Sequence, residues 1–255
     1  MNLPTFPDLD GRSVFVTGGG SGIGAALTEG FLRQGARVAF CQRSDASGFV
    51  ERMESETGNR PTFLQCDLSD VDALRRTLAG AAEANGPVEV LVNNAANDQR
   101  HTLDEADEAF WDWMIAINLK AYFFAAQAVA PAMRKAGRGA IVNFSSISYM
   151  MGNAGYPIYT ASNSGINGMT RSLARELGPD RIRVNALAPG WVLTEKQKEK
   201  WVTEEGLKAH LDRQCLPDAL APEDIVGGCL FLSSDASKMM TGQALVIDGG
   251  VVVTG

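Results

Sequence analysis

Along this chain, short apolar runs alternate with longer stretches in which apolar residues recur every three or four positions. Ser13 to Thr17 (SVFVT) is bounded by Gly11 and by the glycine-rich GGGSGIG, the pattern of a strand buried on both faces. From Ile23 to Gln34 the spacing becomes helical, and Gly35 stops it. Arg37 to Cys41 (RVAFC) predicts a second strand. The alternation continues with a helix over about 47–58, a strand at 62–66, a helix over about 70–85 and a strand at 88–92. A long helix over about 105–136, broken or bent, leads to a strand at 140–144, a helix over about 157–177 and a strand at 182–187. An irregular polar segment over about 191–220 follows, then a helix over about 222–233 and a short strand from Ala244 to Ile247.

Strand–helix alternation of this kind predicts an α/β protein with a doubly wound parallel sheet covered by helices on both faces. No composition break, linker or repeat divides residues 1–255, so one domain is expected. The charged segment 191–220, with Trp191 and Trp201, falls where the carboxyl edge of the sheet needs a cover. An insertion of that length in a compact domain reads as a lid.

A formal charge of −7 argues against phosphate-backbone binding. The densest positive stretch, Lys196 to Lys200, is interleaved with Glu195 and Glu199 and reads as a solvated helix face. Cys41, Cys66, Cys215 and Cys229 are widely spaced and only His101 and His210 exist, so no metal site is expected. Cys41 and Cys66 read as small core residues at strand ends. The amino terminus has neither the basic nor the apolar region of a signal peptide, and nothing approaches eighteen uninterrupted apolar residues. The expectation is a soluble cytoplasmic protein with no nucleic-acid or membrane partner.

Thr17 to Gly24 (TGGGSGIG) follows a strand and opens a helix. Glycine there lets backbone N–H groups approach a pyrophosphate, whose charge the helix amino terminus favours. The spacing is GxxxGxG rather than GxGxxG, and a glycine turn alone is weak evidence. Asp67 and Leu68 end one later strand and Asn93 to Ala96 end the next. The carboxyl ends of such strands are where a dinucleotide lies.

The centre of the chemistry is Ala140 to Gly168. Ser146 opens the loop after a buried strand, and Tyr159 lies thirteen positions on, in the first turns of the next helix. Both hydroxyls can meet over one substrate oxygen. Each residue alone has a bland explanation: a serine pair caps a helix, and Asn118 in a helix satisfies a buried carbonyl.

Taken in order, TGGGSGIG, Asp67, NNAA, Asn118, Ser146, Tyr159, PGWVLT and the late DGG resemble a short-chain dehydrogenase/reductase over essentially the whole chain. The resemblance implies a single Rossmann-type domain, a nicotinamide cofactor and a homotetramer built by helix pairing. It implies that Gly18, Ser21, Gly22, Ile23 and Gly24 cradle the pyrophosphate, that Asp67 and Leu68 meet the adenine, and that Asn94 and Ala95 line the channel. Pro189, Gly190, Val192 and Thr194 would hold the nicotinamide amide. Asn118, Ser146 and Tyr159 would be catalytic. Ala96 departs from the usual NNAG glycine, a small change. At the end of the second strand stand Arg43 and Ser44 with no carboxylate until Asp45. Arg43 can clamp a 2′-phosphate and Ser44 donate to it, so NADP is favoured over NAD.

A larger departure lies four residues after Tyr159. Where the family carries a lysine that makes the tyrosine acidic and holds the nicotinamide ribose, this chain has Asn163. Asn163 still hydrogen-bonds a ribose but offers the phenolate only a neutral donor. Three readings stay open: a slowed dehydrogenase with Tyr159 as base, a cofactor-binding protein that has lost catalysis, or an asparagine introduced to trap a complex.

The loop Asn97-Asp98-Gln99-Arg100-His101 lies just beyond the cofactor channel, and its density of donors and acceptors suits a polyhydroxylated ligand. NNAANDQRH and PGWVLTEKQKEKWVTEEG resemble bacterial sugar 1-dehydrogenases of the D-xylose type, which implies oxidation of an aldose at its anomeric carbon to the lactone. Asn97, His101, Trp191, Gln197 and Trp201 are the candidate substrate residues. Trp191 and the spacing before Trp201 depart from the xylose type, leaving another pentose, a 6-deoxyhexose such as fucose, or a keto-deoxy sugar acid open. A 3-oxoacyl reductase is a further alternative.

Overall fold

The computed structural model describes residues 3–253. Met1, Asn2, Thr254 and Gly255, the ends of the domain expected over 1–255, lie outside the described residues.

Among the described residues, seven strands form one parallel sheet: β1 (Ser13–Thr17), β2 (Arg37–Gln42), β3 (Thr62–Gln65), β4 (Val90–Asn93), β5 (Gly139–Phe144), β6 (Ile182–Pro189) and β7 (Ala244–Ile247). Their order across the sheet is β3-β2-β1-β4-β5-β6-β7. The order reverses between β1 and β4, where the register pairs Val16 with Val92. A crevice opens there at the carboxyl ends of the strands.

Ten α-helices among the described residues connect them: α1 (Gly22–Arg33), α2 (Ser47–Thr57), α3 (Val71–Asn85), α4 (Glu108–Ile115), α5 (Ala121–Ala136), α6 (Ser148–Met151), α7 (Pro157–Leu177), α8 (Glu195–Lys200), α9 (Glu204–Leu211) and α10 (Pro222–Ser233). The local chemistry explains their ends. Asp70 caps α3 by accepting from the amides of Asp72 and Ala73, and Gly58 stops α2 in the left-handed region. Period-two alternation sends successive strand residues into two separate cores. Val14, Val16, Val38 and Phe40 meet Leu27 and Phe31 of α1 and Val226 and Leu230 of α10 on one face. Phe15, Leu91, Ile141 and Val184 meet Leu74 of α3 and Val129 and Met133 of α5 on the other.

The single α/β domain with a doubly wound parallel sheet agrees with the sequence expectation, and most boundaries shift by one to three residues. The helix expected from about 105 starts at Glu108, because Asp107 caps it and accepts from the amide of Phe110. Its break is a π-helical turn, Ala116–Lys120, that carries Asn118. Such turns cluster at functional sites. The run Glu108–Ala136 is long and apolar enough to span a bilayer by composition. Ala125, Ala126, Val129 and Met133 are nevertheless buried in the core, so it is a core helix.

The segment 191–220, expected to be irregular, contains α8 and α9. Thr194 and Thr203 cap them, accepting from the amides of Gln197 and Gly206. Their sequences show no strong apolar stripe, so capping rather than periodicity marks them. Both ends of the segment are pinned: Val192 pairs with Leu220, and the amides of Cys215 and Leu216 both donate to the Gly249 carbonyl at 2.9 Å.

Candidate active site

Above the β1–β4 switch point, the ends of two strands are stitched by Thr17, whose Oγ1 accepts from the amides of Asn94 and Ala95 at 2.9 and 3.0 Å. Asn94 Nδ2 donates back to the Thr17 carbonyl at 3.0 Å. The glycine turn closes against this seam. Gly18 has φ +70°, and a Cβ there would lie 3.0 Å from that of Ala95. A Cβ on Gly24 would come within 1.9 Å of the Gly18 carbonyl oxygen. Only glycine lets these backbones pack so closely. Ser21 makes no side-chain cap at α1, so the first-turn N–H groups have no side-chain acceptor. A backbone cradle before an uncapped helix amino terminus fits a dinucleotide pyrophosphate.

A cavity of about 830 Å³ runs from this turn over the carboxyl ends of β4, β5 and β6. Ser146, at the exit of β5, and Tyr159, in the first turn of α7, both line it. The Ser146 hydroxyl accepts from the amide of Ser148 at 3.1 Å, which fixes its position. Ser145 ties β5 to α7: its hydroxyl donates to the Asn163 carbonyl at 3.1 Å and accepts from Asn167 at 2.8 Å. Burial pushes the Tyr159 phenol above its ordinary value, and the charge of Asp98 pushes it further. Hydrogen bonding from Ser146 and Asn163 pulls the other way. Burial therefore outweighs the neutral donors present, and no cation stands at 163.

Asn118 also reaches the cavity. Its amide grips the loop after β4: Oδ1 accepts from the Asn97 amide at 2.7 Å and Nδ2 donates to the Asn97 carbonyl at 2.9 Å. Its side chain is thus committed to positioning that loop.

The far end of the cavity is closed by the 191–220 segment. Trp191 Nε1 donates to Gln197 Oε1 at 2.9 Å, Gln197 Nε2 donates to Asp98, and Lys196 pairs with Asp98 at 2.7 Å. His210 of α9 packs edge-on to Trp191 with centroids 5.3 Å apart. Arg100 lies over Tyr156 at 4.0 Å and Trp201 at 5.6 Å. Burial raises the Asp98 carboxyl, but the bond and charge of Lys196, with Gln197, more than offset it, and the group sits below its ordinary value.

Of the residues expected at a cofactor or substrate, Gly18, Ser21, Ile23, Gly24, Asn94, Ala95, Asn163, Pro189, Gly190, Val192, Thr194, Trp191, Gln197 and Trp201 line this one cavity. Gly22 begins α1 beside it, packed against Thr194. Arg43, Ser44, Asp67 and Leu68 lie outside the cavity wall at the ends of β2 and β3. Asp67 accepts from the Ser69 hydroxyl at 2.7 Å and its amide at 2.9 Å, bonds that hold its carboxyl below the ordinary value, with Arg43 adding to the effect.

Two substrate candidates face elsewhere. His101 is buried; its Nε2 accepts from the Ile158 amide at 3.2 Å and its ring packs on Phe110. Asn97 turns its Oδ1 onto the Gln99 amide at 2.9 Å. Both shape the loop and do not line the cavity. The Lys196–Lys200 face is solvent-exposed as expected, and Lys196 in addition reaches Asp98. Asp98, Arg100, Tyr156 and His210 line the cavity without having been singled out. The first two lay inside the polar run after NNAA, whereas His210 carried no sequence signal.

A family profile described as enoyl-(acyl carrier protein) reductase matches residues 18–252. The chain is 51% identical to a protein named probable galactose dehydrogenase from Rhizobium meliloti, over 98% of this chain and 100% of that one. It is 45% identical to a D-xylose 1-dehydrogenase of Caulobacter vibrioides, over 98% of this chain and 99% of that one. Among solved structures, a blue fluorescent protein from a metagenomic library, in complex with NADPH, superposes with a TM-score of 0.87. It is 33% identical, and the match covers 96% of this chain and 100% of that one.

Proposed function

The chain belongs to the short-chain dehydrogenase/reductase family, and we propose that it oxidises an aldose at the anomeric carbon to the lactone, using a nicotinamide cofactor. The observation that carries this is a single cavity with a backbone cradle at one end, paired Ser146 and Tyr159 hydroxyls in the middle and a polar, aromatic far wall. The names of the two relatives, a galactose and a D-xylose dehydrogenase, support the same substrate class.

A bound nicotinamide supplies the hydride acceptor. Ser146 donates a hydrogen bond to the sugar oxygen and holds it beside Tyr159. Tyr159, as phenolate, takes the proton of the anomeric hydroxyl while the carbon gives up its hydride. Asn163 stands where a cation would favour that phenolate, so the base form is scarce at neutral pH and turnover is slow rather than absent. Asp98, Trp191, Gln197 and Trp201 form the wall that meets the sugar hydroxyls, and the 191–220 segment acts as the lid. Arg43 and Ser44 favour NADP: among the described residues Arg43 forms no ion pair, and its guanidinium is free to meet a 2′-phosphate. We extend the proposal to a cytoplasmic homotetramer, which light scattering checks.

The test is absorbance at the reduced-nicotinamide band with NADP or NAD, over D-galactose, D-xylose, further aldoses and sugar acids. Turnover of an aldose is expected, with lactone as the product. Silence on every aldose with turnover of an acyl thioester or a sugar acid overturns the substrate class.

A further inference from the structure

Among the described residues, three basic side chains and one acidic one line the cavity: Arg100, Lys196 and Arg213 against Asp98. The chain as a whole carries a formal charge of −7, so the cavity departs in sign from the molecule around it. Lys196 and Gln197 each donate to one Asp98 oxygen, which engages that carboxylate from both sides. Arg100 and Arg213 form no ion pair among the described residues.

Arg100 is held in place without a counter-charge. Its guanidinium lies 4.0 Å from the ring centroid of Tyr156 and 5.6 Å from that of Trp201. Stacking on ring faces leaves the N–H groups at the edge of the plane to bond elsewhere. The Tyr156 ring is in turn 5.8 Å from that of Tyr159, a chain of contacts short enough for one hexose to reach from the base to the guanidinium. Trp201 Nε1, a donor with no acceptor capacity, is buried without a partner among the described residues, and so is His210 Nε2. The far wall therefore has unused donors, and its one carboxylate is already engaged. A neutral sugar donates as readily as it accepts and leaves that imbalance standing. A carboxylate only accepts and resolves it.

We propose that the substrate is an aldose carrying a carboxylate at the end away from its anomeric carbon, a hexuronate such as D-galacturonate, and that Arg100 selects it. This rests on the dehydrogenase reading of the site and narrows its substrate. The planar fork of Arg100 matches a carboxylate with two parallel hydrogen bonds. The chemistry at the anomeric carbon is unchanged. That carbon gives its hydride to the nicotinamide, its hydroxyl proton goes to Tyr159, and the product is the lactone with the distant carboxylate intact.

D-galacturonate and D-galactose differ only in the oxidation state of C6, so the pair isolates the group at the far end. The test compares initial rates with D-galacturonate, D-galactose and D-galactose 6-phosphate for the native protein, Arg100→Met and Arg100→Lys. Calorimetry of the same sugars against protein saturated with reduced cofactor reads binding without turnover. Native kcat/KM should favour galacturonate over galactose by about tenfold or more, the scale of a charge-assisted bidentate contact, with the difference lying in KM. Arg100→Met keeps an apolar chain against the two rings and should erase that preference. Arg100→Lys keeps the charge and should retain part of it. A native protein that prefers galactose, or an Arg100→Met variant with an unchanged galacturonate-to-galactose ratio, overturns the proposal. A preference for the 6-phosphate over galacturonate overturns the carboxylate. If galacturonate binds more tightly than galactose and Arg100→Met abolishes the difference, yet no sugar is oxidised, the dehydrogenase reading fails and the carboxylate site stands.

Discussion

The side-chain amide of Asn163 donates to the backbone carbonyl of Tyr159, one turn earlier on the same helix, at 2.9 Å. The residue at the cation's place is buried and spends a donor on the helix that carries the base. A lysine at 163 would project a charge where Asn163 bonds backbone. Asn163→Lys is therefore expected to raise kcat/KM for sugar oxidation near neutral pH by about 10²-fold, the scale of general-base tuning.

The same relationship sets the pH dependence. Burial and Asp98 hold the Tyr159 phenol above its ordinary value, and the proposed oxidation needs its deprotonated form. The native rate should climb with pH through the neutral and alkaline range, and the Asn163→Lys profile should level off at lower pH. Superimposable profiles would remove Tyr159 ionisation as the governing step.

Tyr159→Phe and Ser146→Ala should each lower kcat/KM by about 10²-fold or more, with cofactor affinity changed little in a fluorescence titration. In the proposed mechanism Ser146 and Tyr159 meet the substrate oxygen, whereas the glycine turn and Asn94 would frame the dinucleotide. A parallel loss of cofactor binding would place the two hydroxyls in the wrong role.

Arg43→Ala is expected to reduce kcat/KM with NADP by roughly ten- to a hundredfold and leave NAD nearly unchanged, since one charge-assisted bond to phosphate is worth about 1.5–3 kcal/mol. Equal losses with both cofactors would mean that Arg43 does not meet a 2′-phosphate.

Beneath the site, Asn93 and Asn143 are paired across β4 and β5. Asn93 donates to Asn143 Oδ1 at 2.9 Å, and Asn143 donates to Thr170 at 3.0 Å. All three are buried. Asn143→Leu should cost about 1–3 kcal/mol by stranding the remaining polar groups, seen as a Tm lowered by several degrees. A variant that melts with the native protein would show that the network contributes nothing net.

The sheet, its parallel sense and the glycine cradle were legible in the sequence because each is a local matter. A buried strand needs a continuous apolar run, a helix needs its 3.6-residue period, and a tight turn against a phosphate needs glycine. Ser146, Tyr159 and Asn163 were legible for a related reason: a strand end, a loop and a helix start place them within one connected stretch. Asn118 was placed correctly in a helix, but the π-helical turn and its grip on Asn97 depend on a loop twenty-one residues away. His101 and Asp98 show the limit most plainly. They stand three residues apart in one polar run, yet folding sends the histidine into the core against Phe110 and Ile158 and leaves the carboxylate on the cavity wall. No pattern in the run distinguishes them. Only when β4 and α8, about a hundred residues apart in the chain, come together does Asp98 acquire Lys196 and Gln197 as partners. Charge pairs formed across such distances follow no sequence period, because they are set by where the sheet brings its loops and not by the residues between.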